Sequence, residues 1–137
     1  MDTSPEYLKI CEKAEEIQAL RREQKHENTG KWQMGDFYFD LLGQVHIVDE
    51  YRDAWSDEPD YLHHPAECVW LPRQDQLQEM VWEGSKNTRS LVLEFADWLE
   101  YKTNYRRESL EQLWLAFVMK EKYSKLWSGQ DWVKEAP

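Results

Sequence analysis

Two adjacent histidines in a run of carboxylates are the residues whose types best suit metal chemistry. His63 and His64 lie close in sequence to four acidic residues, Asp57, Glu58, Asp60 and Glu67. Imidazole and carboxylate ligands together bind zinc, manganese or iron. The spacing matches no established ligand pattern, however, and adjacent side chains point apart in an extended segment. One hypothesis is therefore a metal-dependent enzyme that uses His63, His64 and nearby carboxylates. The other is a solvated acidic loop.

Three further residues could take part in acid–base chemistry. His46 lies in the candidate strand VHIV, where strand alternation places it on the face opposite Val45 and Ile47, so a cross-strand or surface position is expected. Asp36 and Asp40 flank the FYF run and share one face of a regular strand. Paired carboxylates can divide acid and base roles, but both residues are also ordinary at strand ends.

Motifs that are specific for catalysis are missing from the sequence. The five glycines are scattered, so they form no phosphate-binding loop, and no GxSxG motif is present. Cys11 lies on the apolar stripe of a candidate helix and Cys68 at the start of a candidate strand. Without a CxxC motif, both are predicted to be reduced thiols in the core, which is typical of a cytoplasmic protein. We therefore predict no enzyme activity and no cofactor.

Most of the net charge falls within residues 33–72. This segment has nine carboxylates and one arginine, a net charge of −8, whereas the whole chain has −10. Charge gathered in one segment indicates a surface that meets a basic partner. The pI of about 4.8 disfavours direct binding to nucleic acid or to an anionic membrane. The N-terminus lacks the pattern of a signal peptide, and no apolar run approaches the roughly 18 residues of a membrane span.

The long polar loop 49–67 combines seven of the nine carboxylates of this segment with aromatic rings. Such a loop can imitate a nucleic-acid backbone, with carboxylates in place of phosphates and rings that supply apolar contact. The alternative is a loop that is only solvated. We predict that the loop contacts a basic surface of another protein, through Asp49, Glu50, Asp53, Trp55, Asp57, Glu58, Asp60 and Tyr61.

Two other kinds of binding remain open. A small-molecule or nucleotide binder would hold a base in an aromatic pocket between sheet and helices, lined by Trp70, Trp98, Tyr105 and Arg106. Self-association into a homodimer would cover surplus apolar surface, because the last predicted helix is apolar on most sides.

The elements that must position these residues follow from hydrophobic periodicity. Helical spacing predicts an amphipathic helix over 5–26, and alternation predicts three strands of an antiparallel meander within 34–71, interrupted by the acidic loop. Three helices are predicted over 72–127, with a tail at 128–137. The predicted fold class is α+β: one domain over 1–137, in which a small sheet packs against a C-terminal cluster of three helices.

Four stretches resemble segments shared by small uncharacterised phage and prophage proteins of Firmicutes. They are VWLPRQDQLQEM (69–80), SLEQLWLAFVMKEKY (109–123), the W-S-G-x-x-W end (127–132) and EYLKICEKAEEIQ (6–18). The resemblance covers the first helix and most of the C-terminal half, but not residues 27–67. It brings no assigned activity and no functional residues. It implies an accessory protein that binds host machinery. One such role is inhibition of a nuclease-based defence (an anti-CRISPR-like role).

Overall fold

The computed structural model describes the chain in five stretches, residues 1–22, 32–48, 67–84, 87–101 and 108–136. These stretches form an α+β fold, as the sequence predicts. The chain divides into two compact units: Thr3–Pro72 forms the sheet unit, and Met1–Asp2 together with Arg73–Pro137 forms the helical unit. The single domain over 1–137 stays a prediction.

The sheet unit begins with two consecutive helices, α1 (Pro5–Lys13) and α2 (Glu15–Arg22). The hydroxyl of Ser4 accepts a hydrogen bond from the backbone N–H of Tyr7 at 3.2 Å, and Pro5 occupies the first turn of α1. These are ordinary signals of a helix start, because the cap satisfies a free N–H and proline has none to lose. The predicted start of the first helix is therefore confirmed.

The prediction of one continuous helix over 5–26 is wrong at Ala14. This residue leaves the helical region with a ψ angle of 73°, and its N–H bonds to the C=O of Cys11. The C=O of Ala14 then accepts from the N–H of Gln18 at 3.0 Å, so a new helix starts at once. No glycine or proline marks this break, so composition gives no sign of it. Residues 23–26 lie outside the described stretches.

Three short strands form an antiparallel sheet in this unit: β1 (Phe37–Phe39), β2 (Val45–Ile47) and β3 (Val69–Leu71). All three strands were predicted, but the order β1-β2-β3 of the predicted meander is wrong. The order is β2-β1-β3, so β3 pairs with β1 rather than with β2. The aromatic FYF strand thereby takes the central position, where both of its edges are paired. Helices α1 and α2 both pack against β3.

The helical unit contains the predicted cluster of three helices, α3 (Gln74–Met80), α4 (Thr88–Tyr101) and α5 (Leu110–Tyr123). A short 3₁₀ turn, Trp82–Gly84, follows α3. Helix α5 packs against both other helices and buries more side chains than either, as predicted from its apolar residues. None of the described helices is long and apolar enough to cross a membrane.

The core of the helical unit is aromatic. The rings of Phe95 and Trp114 stack with centroids 3.9 Å apart, and Phe117 meets both rings edge-on. Trp98 packs against Phe95 and Phe117. Phe95 is buried in this core, whereas Val92 on the same helix is 50% exposed.

The end of the chain is a hairpin rather than a helix end and a tail. Helix α5 ends at Ser124, which adopts the left-handed conformation with φ 54°. Strands β4 (Lys125–Trp127) and β5 (Trp132–Lys134) follow and pair antiparallel. Gly129 has φ 101° and lies in the turn between these strands. The predictions of helix up to 127 and of a tail at 128–137 are therefore wrong.

Candidate functional site

The residues predicted to bind a partner lie outside the described stretches. This applies to all eight contact residues between Asp49 and Tyr61 and to the metal candidates His63 and His64. Of the acidic loop 49–67, only Glu67 is described, and its side chain is exposed. Among the described residues, no group of three His, Cys, Asp or Glu side chains could hold a metal ion. The contact surface and the metal hypothesis both stay predictions.

Asp36 is held in a buried ion pair. Its carboxylate accepts hydrogen bonds from Nε of Arg21 at 2.6 Å and from Nη2 at 3.2 Å, and a third from the backbone N–H of Gln33. The guanidinium of Arg21 also stacks on the ring of Trp70, 3.8 Å from its centroid. A buried carboxylate that is paired in this way holds α2 to the sheet.

Asp40 closes the hairpin between β1 and β2. Its Oδ1 atom accepts from the backbone N–H groups of Leu42 and Gln44, and its Oδ2 atom lies 2.6 Å from Nε2 of His46. The hydrogen bond from Gln44 is the largest cause that lowers the pKa of Asp40, and the bonds to His46 and Leu42 lower it further against the effect of burial. Asp40 is therefore an ionised carboxylate that orients both the turn and the imidazole.

His46 belongs to a stack of three rings on one face of the sheet. Tyr38, its cross-strand neighbour, lies with its ring centroid 5.2 Å from the imidazole and 4.4 Å from the ring of Trp32. The predicted cross-strand position of His46 is confirmed. Asp36 is bonded to Arg21 and Asp40 to His46, which agrees with the interpretation of both as ordinary residues at strand ends.

The opposite face of the sheet is entirely apolar. The strand register places its side chains in two rows that each cross all three strands. The side chains at the β2 ends of both rows are exposed, and so are those of Leu41 and Leu42 at the hairpin tip. One row consists of Val45, Phe39 and Val69, and the other of Ile47, Phe37 and Leu71.

One edge of the sheet is closed by side chains from the helices. The backbone N–H and C=O of Trp70 point away from β1, and both are bound by the side-chain amide of Gln18 at 2.8 Å. Two further carbonyls on this edge are bound as well: that of Cys68 by Arg22 at 2.9 Å, and that of Pro72 by the hydroxyl of Tyr7 at 2.6 Å. We call this side of β3 the capped edge.

The residues of the predicted nucleotide pocket do not form a described site. Trp70 is buried beneath Arg21 in the sheet unit, and Trp98 packs within the aromatic core of the helical unit. Tyr105 and Arg106 lie outside the described stretches. Cys11 and Cys68 are free and buried, as predicted.

Sequence reasoning missed the polar residues that organise the sheet. Gln18 and Arg21 lie on the predicted amphipathic helix, yet both of these polar side chains are buried. The turn at Asp40 did carry a signal. An aspartate followed three residues later by Gly43, at φ 80°, is typical of a tight turn that the side chain stabilises.

No model of a protein family, no curated protein and no solved structure matches the chain. The resemblance to phage and prophage proteins is therefore carried only by the segments quoted above. Class and function rest on the arrangement of this chain's own residues.

Proposed function

We propose that the chain is a non-enzymatic accessory protein of phage type that acts in the cytoplasm of a bacterial host by binding a host protein with a basic surface. The observation that carries the proposal is the concentration of charge, because residues 33–72 hold a net −8 of the chain's −10. Electrostatic attraction of this kind speeds association and selects basic partners. Inhibition of a nuclease-based defence fits such a partner, since nucleases present basic surfaces to nucleic acid.

The described geometry favours binding over acid–base catalysis. The two strand carboxylates are engaged in holding the sheet together, Asp36 with Arg21 and Asp40 with the hairpin and His46. Both thiols are buried. By contrast, apolar side chains stay exposed on β2 and at the hairpin tip, next in sequence to the acidic loop. An exposed apolar patch is typical of a protein-binding surface.

Capture from host lysate tests the proposed function. The tagged protein is compared with a variant that carries Asp57→Asn, Glu58→Gln and Asp60→Asn. The control variant, Glu83→Gln, Asp97→Asn and Glu100→Gln, loses the same charge at exposed positions of the helical unit. We expect a specific partner that the loop variant fails to capture and the control retains. Capture should weaken as salt is raised, because the screening length falls below about 8 Å. Undiminished capture by the loop variant would remove the loop from the proposal.

A further inference from the structure

The two edges of the sheet differ in whether side chains bind their outward backbone groups. On the capped edge, three side chains from α1 and α2 satisfy the outward backbone groups of β3. Proteins commonly cover or blunt the edges of their sheets, because a free edge pairs with other chains. The other edge, formed by β2, shows no such cover among the described residues.

The hydrogen-bond pattern fixes which groups of β2 face outward. The N–H of Val48 donates to the C=O of Asp36 at 2.8 Å, and the N–H of Asp40 donates to the C=O of Gln44 at 2.9 Å. His46 lies between these positions and pairs with Tyr38. In an antiparallel pair the bonded residues alternate, so the N–H and C=O groups of Val45 and Ile47 point away from β1. We call this pair of residues the open edge.

Apart from its short length, the open edge lacks the usual features that protect edge strands. Its sequence, Val45-His46-Ile47, contains no lysine and no proline, and the strand pairs regularly with β1 without a bulge. Val45 is 39% exposed and Ile47 is 50% exposed. These two side chains are the outer ends of the two apolar rows, so the rows stop at the open edge instead of being covered there.

We propose that the open edge receives an extended segment of the partner protein as a fourth strand, in which apolar residues alternate with basic ones. This inference rests on the proposed function for the kind of partner, and it adds the place and manner of contact. Strand addition of this type derives orientation from backbone hydrogen bonds and selectivity from alternate side chains. Because β2 is only three residues long, most of the affinity comes from the side chains.

The chemistry of the incoming segment follows from the two faces of the sheet. Apolar side chains at alternate positions would extend the rows that end at Val45 and Ile47. The residue between them would lie on the other face, next to His46 and the ionised Asp40, where Lys or Arg is favoured. Of the three carboxylates in residues 32–48 and 67–72, Asp36 is paired with Arg21 from α2, and Arg22 lies at the capped edge. The carboxylate beside the incoming basic residue is therefore that of Asp40.

A second copy of the chain fits the open edge less well. Two chains of net charge −10 repel each other, and the repulsion is strongest at low salt. Symmetric pairing of two β2 strands would also place His46 opposite its own copy, so the second copy would bring no Lys or Arg to the ionised Asp40. Charge therefore favours a foreign, basic segment over a homodimer.

A short labelled peptide in which Lys and Val alternate tests the inference by fluorescence anisotropy with the full chain. The edge variant carries Val45→Thr and Ile47→Thr, which keep the β-branched shape and remove apolar surface. The matched control carries Leu126→Thr and Val133→Thr on the β4–β5 hairpin, where the exposures are 42% and 47%. Control peptides carry the same residues in blocks, or Glu in place of Lys.

We expect saturable binding of the alternating Lys–Val peptide to the wild type. The edge variant should bind it at least about tenfold more weakly, while the matched control binds it as the wild type does. Hydrogen exchange of the wild type should slow at the amides of Val45 and Ile47 when the peptide binds. Because this readout needs no variant, it holds even where the edge variant loses stability.

Three results would overturn the inference. They are equal binding by the edge variant, absence of binding to the wild type, and a concentration-dependent dimer that only the edge variant abolishes.

The variant of Asp57, Glu58 and Asp60 separates this inference from the proposed function. Peptide binding that is lost only in the edge variant supports the open edge and counts against the acidic loop. Peptide binding that is lost only in the loop variant supports the acidic loop and counts against the open edge.

Discussion

The side-chain amide of Gln18 pairs with the backbone of Trp70 as a neighbouring strand would. Its Nε2 atom donates to the C=O of Trp70, and its Oε1 atom accepts from the N–H, both at 2.8 Å. A helix residue thereby completes the hydrogen bonds of the capped edge. This pairing leaves β2 as the edge of the described sheet without cover, which is why the contact with a partner is placed there.

Replacing Gln18 by Leu should destabilise the sheet unit. The substitution keeps a side chain of similar size but leaves the N–H and C=O of Trp70 buried without partners, and each such group costs about 1–3 kcal/mol. We expect the free energy of unfolding, measured in urea, to fall by at least about 2 kcal/mol. Gln130→Leu, at an exposed turn position, serves as the control and should change little. Equal stabilities of the two variants would show that the pairing contributes nothing.

Replacing Arg21 by Met should be among the most damaging single changes. It leaves the buried carboxylate of Asp36 without its counter-charge, which typically costs about 3–5 kcal/mol. The double variant Arg21→Met with Asp36→Leu removes both charges. We therefore expect its loss of stability to be smaller than the sum of the single losses by at least about 1 kcal/mol. Additive losses in urea unfolding would contradict an energetic coupling between the two residues.

The hairpin should weaken in acid because of Asp40. Its pKa is lower in the folded chain than in the unfolded chain, chiefly through the hydrogen bond from the N–H of Gln44. Its stabilising contribution is therefore complete above the unfolded pKa of about 3.9 and is lost as the pH falls through the folded pKa. Thermal melting followed from pH 7 down to pH about 2.5 should show a smaller acid-induced loss in Asp40→Asn than in the wild type. The control Asp97→Asn, at an exposed position, should lose as much melting temperature in acid as the wild type does. An equal loss in Asp40→Asn would contradict the role given to Asp40.

Replacing Ser124 by Gly should stabilise the helical unit. Ser124 ends α5 with φ 54°, a conformation that costs a residue with a side chain about 1–2 kcal/mol and glycine much less. We expect a gain of about 1 kcal/mol in the free energy of unfolding. Ser128→Gly should have the opposite sign, because the hydroxyl of Ser128 accepts from the N–H groups of Gln130 and Asp131 in the hairpin turn. A loss of stability in Ser124→Gly would show that the hydroxyl matters more than the backbone.

Local features of the fold could be predicted from the sequence because they depend on neighbours along the chain. The cap at Ser4, the start of α5 at Ser109 and the FYF and VHI strands follow from capping chemistry and from alternation. The position of His46 opposite Val45 and Ile47 is of the same kind. The break at Ala14 and the turn of the final hairpin were missed, since neither carries an unambiguous local signal.

The sequence by itself determined the fold class, most helix and strand positions, and the acidic segment, all of which are properties of short stretches of chain. Only the tertiary structure decided that β3 pairs with β1, that Gln18 closes one edge of the sheet and that Val45 and Ile47 form the other. Gln18 and Trp70 are 52 residues apart in sequence, and no periodic pattern specifies a partner at that distance. Which backbone groups are left for a partner depends on such long-range pairings, so the proposed place of binding could not be predicted from the sequence.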